Sequence, residues 1–278
     1  MDKKHVLLNG IAEKCAGAAE LAAGLLYPPR CMFCDELLEP EERERMICAK
    51  CAPKLPLVGK EFCLCCGKAL GLPEEELCGD CRRRREEGRG HIFDSGRSLL
   101  VYTEEVSELM ARYKFLNRRD LAPRLAEMTA RELRIEIRAM ETRVLVPVPL
   151  HPKKLAERGF DQAKLFAEEL AKALNREDAR RRGAFPAGET RNDGAYTVYE
   201  LLARTRPTKP MKELDGEERT RNLAAALALA PGTVRVPERV ILVDDIYTTG
   251  STLDACAVVL KRAGVRKVFF VTAATGKD

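Results

Sequence analysis

Apolar positions fall into three regimes along the chain. Residues 6–26 are rich in Ala and Leu and predict a helix, ended at Tyr27-Pro28-Pro29 because proline cannot continue one. Residues 31–81 carry no long periodic segment. The charged run "RRRREEGRG" (82–90) then reads as a linker or solvated edge, its arginines facing water rather than nucleic acid. From about residue 91 the periods alternate. "RSLLVYT" (97–103) predicts a strand, and 104–117 and 120–140 predict helices. "RVLVPVPL" (143–150) is a short Val-rich run, the form of a buried parallel strand. Ala163, Phe166, Ala167 and Leu170 recur at helical spacing within 161–175. "RVILVDD" (239–245) predicts a second buried strand. Leu253, Cys256, Ala257 and Leu260 mark the inner face of a helix, and "KVFFVTAAT" (267–275) predicts a third strand. Strands alternating with helices imply an α/β domain with a doubly wound, mostly parallel sheet. The chain thus divides into a docking helix over 1–27, a cysteine-rich domain over 28–90 and an α/β domain over 91–278.

Composition narrows the function classes. At 45% hydrophobic and 33% charged residues, the 278-residue chain reads as globular. Only 5% is aromatic and Trp is absent, which argues against a stacking platform for single-stranded nucleic acid. Lys3 and Lys4 precede a short apolar run that Glu13, Lys14 and Glu20 interrupt, so neither a signal peptide nor a membrane span fits. The basic face of a membrane-surface helix is missing as well.

The cysteines change the picture most. Cys31-x₂-Cys34 is followed by Cys48-x₂-Cys51, and Cys63-x₂-Cys66 by Cys78-x₂-Cys81. Each CxxC knuckle aims two sulfurs at one point, and two knuckles complete a tetrahedral Cys₄ site for Zn²⁺. Sequential pairing gives two tandem ribbons; interleaved pairing gives the same ligand count. With four protein ligands each, the sites are structural, and reduced, metal-bound cysteines suit the cytoplasm. Eight thiolates and two Zn²⁺ lower the formal charge from +5 to about +1, which removes the global argument for nucleic acid. Cys65, inside a knuckle, is a competing ligand; Cys15 and Cys256 lie on helical faces as core residues.

"VDDIYTTGST" (243–252) carries the second candidate chemistry. A strand, an acidic pair, a turn with one Gly and a helix make the arrangement in which an anion meets a helix N-terminus. Backbone N–H groups of residues 248–252 converge on a phosphate in such a turn. Thr248, Thr249, Ser251 and Thr252 add hydroxyls, and Gly250 allows a conformation that a Cβ disfavours. Asp244 and Asp245 suit ribose hydroxyls or a Mg²⁺ held largely through the ligand. No Walker A pattern is present.

That stretch resembles the 5-phosphoribosyl pyrophosphate (PRPP) motif of type I phosphoribosyltransferases. Together with "LLYPPRCMFC" (25–34), the four CxxC pairs, "YKFLNRRDLA" (113–122), "VPVPLHPKKLAERGFDQA" (146–163) and "RTRPTKPMKELDGEERTRNL" (204–223), the chain resembles the ComF family of bacterial competence proteins. The resemblance implies a type I phosphoribosyltransferase-like sheet behind a double zinc ribbon. It implies that Asp244 and Asp245 hold ribose hydroxyls and that 248–252 hold the 5-phosphate. Leu150, His151 and Lys153, with Lys154, fall in the pyrophosphate loop, and Arg221 lies near the end of a flap over 204–221. PRPP or a related ribose phosphate, with Mg²⁺, is the implied ligand. Single-stranded DNA and a competence helicase are the implied partners. Two readings follow: a phosphoribosyltransferase with an unidentified acceptor, or a non-catalytic binding or regulatory module. Asp161 and Met211 depart from the Asn and Gln usual in the family. Residues 176–200 read as a solvated insertion, and His5 and His91 as ordinary surface or linker residues.

Overall fold

The computed structural model describes residues 28–182, 194–205 and 216–277. The docking helix over 1–27, with His5 and Cys15, and the flap position Met211 lie outside these residues. Two compact units meet in sequence between Leu55 and Pro56, so the two cysteine groups belong to different units.

The first unit is a ribbon. Cys31 N donates to the Glu36 carbonyl (2.7 Å) and Met32 N to the Met46 carbonyl (3.0 Å), closing knuckles around Met32, Phe33, Leu38 and Ile47. So small an apolar cluster cannot by itself offset the entropy of ordering the chain.

The second unit is α/β. Its sheet contains β1 (Ser95–Val101), β2 (Val144–Pro147), β3 (Thr197–Val198), β6 (Arg239–Tyr247) and β7 (Lys267–Thr275) in the order β1-β7-β6-β2-β3, all parallel. A two-stranded antiparallel sheet, β4 (Leu202–Arg204) with β5 (Leu227–Leu229), stands apart from it. The helices are α1 (Gly79–Glu86), α2 (Glu104–Phe115), α3 (Leu121–Glu132), α4 (Arg134–Ala139), α5 (Pro152–Arg158), α6 (Gln162–Arg182), α7 (Gly216–Ala224) and α8 (Ser251–Arg262). Val240, Ile241, Leu242 and Val243 on β6 are fully buried, as a strand covered on both faces requires. The chain steps from β6 to β7 in one direction across the sheet and from β2 to β3 in the other. The crevice between the C-terminal ends of β6 and β2 is therefore the topological switch point, where open α/β sheets bind ligands.

The second cysteine group is built into this sheet. Val58 N donates to the Leu99 carbonyl (3.0 Å), Val101 N to the Pro56 carbonyl (2.7 Å) and Gly96 N to the Cys65 carbonyl (2.9 Å), all along β1. The approach is close enough to exclude a Cβ. One on Gly67, whose φ is +69°, would lie 2.5 Å from the Gly96 carbonyl oxygen.

Two expectations are corrected here. Residues 82–86 are helical, the bulk of α1, and largely exposed, so the run is a solvated edge and not a linker. The helix expected over 161–175 runs on to Arg182, and the chain returns as β3, so 176–200 is not simply a solvated insertion. Asp178 is buried because Arg143 Nη1 bonds it at 2.6 Å, and Arg143 stacks on the buried Tyr196 ring (4.5 Å).

Candidate functional site

Two tetracysteine groups form, one from Cys31, Cys34, Cys48 and Cys51 and the other from Cys63, Cys66, Cys78 and Cys81, with the four sulfurs of each within 4.8 Å of one another. The pairing is therefore sequential. A tetrahedron with Zn–S bonds of about 2.3 Å has sulfur–sulfur edges of about 3.8 Å. Cys34 and Cys48 stand 3.7 Å apart and Cys66 and Cys78 3.5 Å, so both groups fit structural zinc. In the first group Cys34 is exposed; in the second all four are buried among Phe93, Tyr247 and Phe270 of the α/β core. A buried Zn(Cys)₄ centre carries a formal charge of about −2 and needs compensation. Lys68, buried and bonded to Asp80 at 2.6 Å, and Arg97, lying 4.0 Å over the Phe62 ring, supply it. Burial pulls the Arg97 pKa down while the nearby thiolates and Glu136 oppose that pull.

At the switch point β6 delivers Asp244 and Asp245 side by side, and Asp244 Oδ1 accepts the Asp245 N–H at 2.9 Å. Lys114, at the C-terminal end of α2, forms an ion pair with Asp245 Oδ2 at 2.9 Å, with both side chains about five-sixths buried. Burial first, and the neighbouring Asp245 charge second, push the Asp244 carboxyl up to about 7. Lys114 acts against that shift. Beside the pair, Val148 N donates to the Val243 carbonyl (2.9 Å), so the loop after β2 leaves the sheet next to Asp244. Leu150 N donates to Asp161 Oδ2 (3.4 Å), while Asp161 Oδ1 caps the start of α6 through Lys164 N (3.0 Å). His151 caps α5, its Nδ1 accepting the Lys153 N–H at 3.1 Å; the Lys153 side chain is exposed.

From Asp245 the strand runs into the turn. Gly250 has φ +82° at the N-cap of α8, and no side chain caps that helix, which leaves its first N–H groups available to an anion. Thr249 Oγ1 lies 3.2 Å from Ser251 Oγ; Thr248 and Thr249 are exposed, Thr252 is half-buried and Ser251 is buried. The residues expected from 244 to 252 thus form one continuous strand-to-helix passage, with Leu150 and His151 on the loop next to it. Arg221, on α7, instead shares a cavity of about 680 Å³ with Thr249, Tyr247 and Arg84 on the ribbon side of the turn. Asp244 and Asp245 do not line that cavity.

Three residues escaped the sequence reading as site components. Lys114 sat in plain view within "YKFLNRRDLA", but its partner lies 131 positions away in sequence. His91 is not an ordinary linker residue. Its side chain is 97% buried, its Nδ1 lies 2.8 Å from Asp254 Oδ2, and its ring stacks on Phe93 at 4.3 Å. Asp254, on the first turn of α8, also accepts the Ile92 N–H (2.6 Å) and pairs with Arg84 (3.7 Å). The signal for Asp254 was an acid flanked by the buried Leu253 and Cys256.

Comparison with known proteins matches residues 22–82 to the double zinc ribbon domain family. Among relatives, the chain is 27% identical over 246 residues to Competence protein F of Haemophilus influenzae, covering 86% of this chain and 93% of that protein. It is 25% identical over 256 residues to Competence protein ComFC of Bacillus subtilis (87% and 93%). It is 28% identical over 227 residues to DNA utilization protein YhgH of Salmonella typhi (80% and 87%).

Proposed function

The chain belongs to the ComF family, and we propose that its α/β unit binds PRPP, or a related ribose phosphate, with Mg²⁺ in the service of DNA uptake in the cytoplasm. The observation that carries this reading is the passage from Asp244 and Asp245 through an uncapped helix start at Gly250, at the switch point of a parallel sheet. In this reading the two carboxylates accept the vicinal ribose hydroxyls, and Lys114, 2.9 Å from Asp245 Oδ2, holds that side chain in place. The N–H groups and hydroxyls of 248–252 take the 5-phosphate. The loop holding Leu150, His151 and Lys153 lies next to Asp244, where a pyrophosphate attached to the ribose would emerge. Bound Mg²⁺ would neutralise the charge developing on a departing pyrophosphate. Arg221 and the flap segment would exclude water from an oxocarbenium-like ribose carbon.

The relatives named for competence and for DNA utilization support the DNA-uptake association. A second reading, a binding or regulatory module for single-stranded DNA or a helicase partner, is favoured by the arginine-bearing cavity beside the turn. There Arg83, Arg84, Arg89 and Arg221 face Asp80, Glu87 and Asp254.

Calorimetric titration with PRPP and Mg²⁺ tests the ligand. Binding that Asp245→Asn weakens supports the site, and no binding by the wild type sinks it. Pyrophosphate release in the presence of candidate acceptors, single-stranded DNA included, separates a transferase from a binding module.

A further inference from the structure

Eleven cysteines are present and eight complete the two tetracysteine groups. Cys65 is surplus, yet it is held at a defined place: its carbonyl accepts the Gly96 N–H of β1. Ligand atoms of Cys65, Cys81 and His91 lie within 4.8 Å of one another, a third group among the described residues. We propose that this group is a second metal site of the second ribbon, binding a thiophilic divalent cation such as Zn²⁺ through Cys65, His91 and a bridging Cys81 thiolate.

The geometry around His91 is what distinguishes this group from a chance cluster. A metal-ligating histidine characteristically donates its other ring N–H to a carboxylate, which fixes tautomer and orientation. His91 Nδ1 has such a partner in Asp254 Oδ2 at 2.8 Å. Asp254 is itself held by the Ile92 N–H on its other oxygen. A carboxylate acceptor places the proton on Nδ1 and leaves the Nε2 lone pair free to ligate. Around Nε2 the only hydrogen-bond contact recorded among the described residues is the long one to Tyr247 Oη, 3.5 Å away. Stacking on Phe93 fixes the plane of the ring.

Charge favours the same conclusion. A second Zn²⁺ bringing one further thiolate and a neutral imidazole takes the buried cluster from a formal charge of about −2 to about −1. Three protein ligands leave a fourth position open, as in sites that accept water or a ligand. Of the proposed ligands, His91 lines the arginine-bearing cavity, together with Tyr247 and Asp254. The His91 ring also floors the phosphate turn, where a Cβ on Gly250 would lie 2.8 Å from its Cε1.

The test is a metal count on the tag-free full chain, reconstituted with excess Zn²⁺ and desalted. Wild type should retain three ions, and Cys65→Ser and His91→Gln two each. Asp254→Asn should keep the third ion with affinity lowered about 10- to 100-fold, since it removes only the orienting carboxylate. Cadmium-113 spectroscopy of wild type guards against misfolded variants: two tetrathiolate resonances plus one from a mixed sulfur–nitrogen site are expected. Two ions in wild type, or three in both ligand variants, would overturn the proposal. No ribose phosphate enters the measurement, so its outcome stands apart from the ligand reading above.

Discussion

The two ribbons share a ligand pattern and differ in everything around it. Cys31, Cys34, Cys48 and Cys51 close on a handful of apolar residues, with Cys34 exposed to water. Cys63, Cys66, Cys78 and Cys81 sit inside the same apolar cluster as Val240, Leu242, Leu253 and Phe270, which belong to the sheet and to α8. A CxxC spacing therefore specifies what binds the metal but says nothing about what the metal holds up. The first ribbon stabilises itself. The second stabilises the edge and floor of the sheet that carries the acidic pair.

The largest effect expected from this difference is on folding. Structural zinc binding is worth on the order of 10 kcal/mol of folding free energy, comparable to the whole stability of a domain. Cys78→Ser should thus abolish the cooperative melting of the α/β unit in scanning calorimetry, whereas Cys34→Ser should move it by no more than about 2 °C. Equal losses would break the comparison. Next in size is ligand binding: Asp244→Asn and Asp245→Asn should each weaken PRPP–Mg²⁺ binding about 10- to 100-fold by titration, the value of a charged hydrogen-bonding group. The variants should leave the zinc content of both ribbons untouched. Gly250→Ala follows, since a left-handed φ costs a residue with a Cβ about 1–2 kcal/mol and the methyl meets His91. It should lower both the melting temperature and phosphate affinity.

The response to pH is spread over a wide window. Asp244, with its carboxyl near 7 against an ordinary 3.8, binds a proton in the folded protein before the unfolded chain would. As pH falls from about 7 toward 4 the ligand-free fold gains stability from this group, because a buried charge is removed. Mg²⁺-dependent binding, which needs the anion, weakens over the same window by at most tenfold per unit. Lys114→Met should carry the midpoint upward, since Lys114 is the cation that holds it down. The smallest effect belongs to Arg83→Ala: its side chain is two-thirds exposed, and stability should change by less than about 0.5 kcal/mol.

Much of this was legible in the residues. Runs such as "RVILVDD" and "KVFFVTAAT" show buried parallel strands because a strand covered on both faces leaves no polar alternation to confuse it. The acidic pair and the turn read correctly as one passage because they are contiguous. What failed was whatever depended on tertiary neighbours. "RRRREEGRG" has the composition of a solvated run, yet Arg84 turns inward to Asp254, 170 positions on. Residues 176–182 carry a charged surface that hides their helix, and only the burial of Asp178 against Arg143 explains why the helix persists. His91 reads as an isolated histidine until the fold brings Asp254, Phe93 and Cys65 around it.

The hydrogen bonds that β1 exchanges with Pro56, Val58 and Cys65 have one more consequence. They occupy the outer row of backbone groups on the first strand of the sheet. An uncovered row of that kind is a template on which a second chain can add its own strand. Removing metal from the second ribbon would therefore do more than loosen a small module: it would uncover backbone groups of β1 that another chain could pair with.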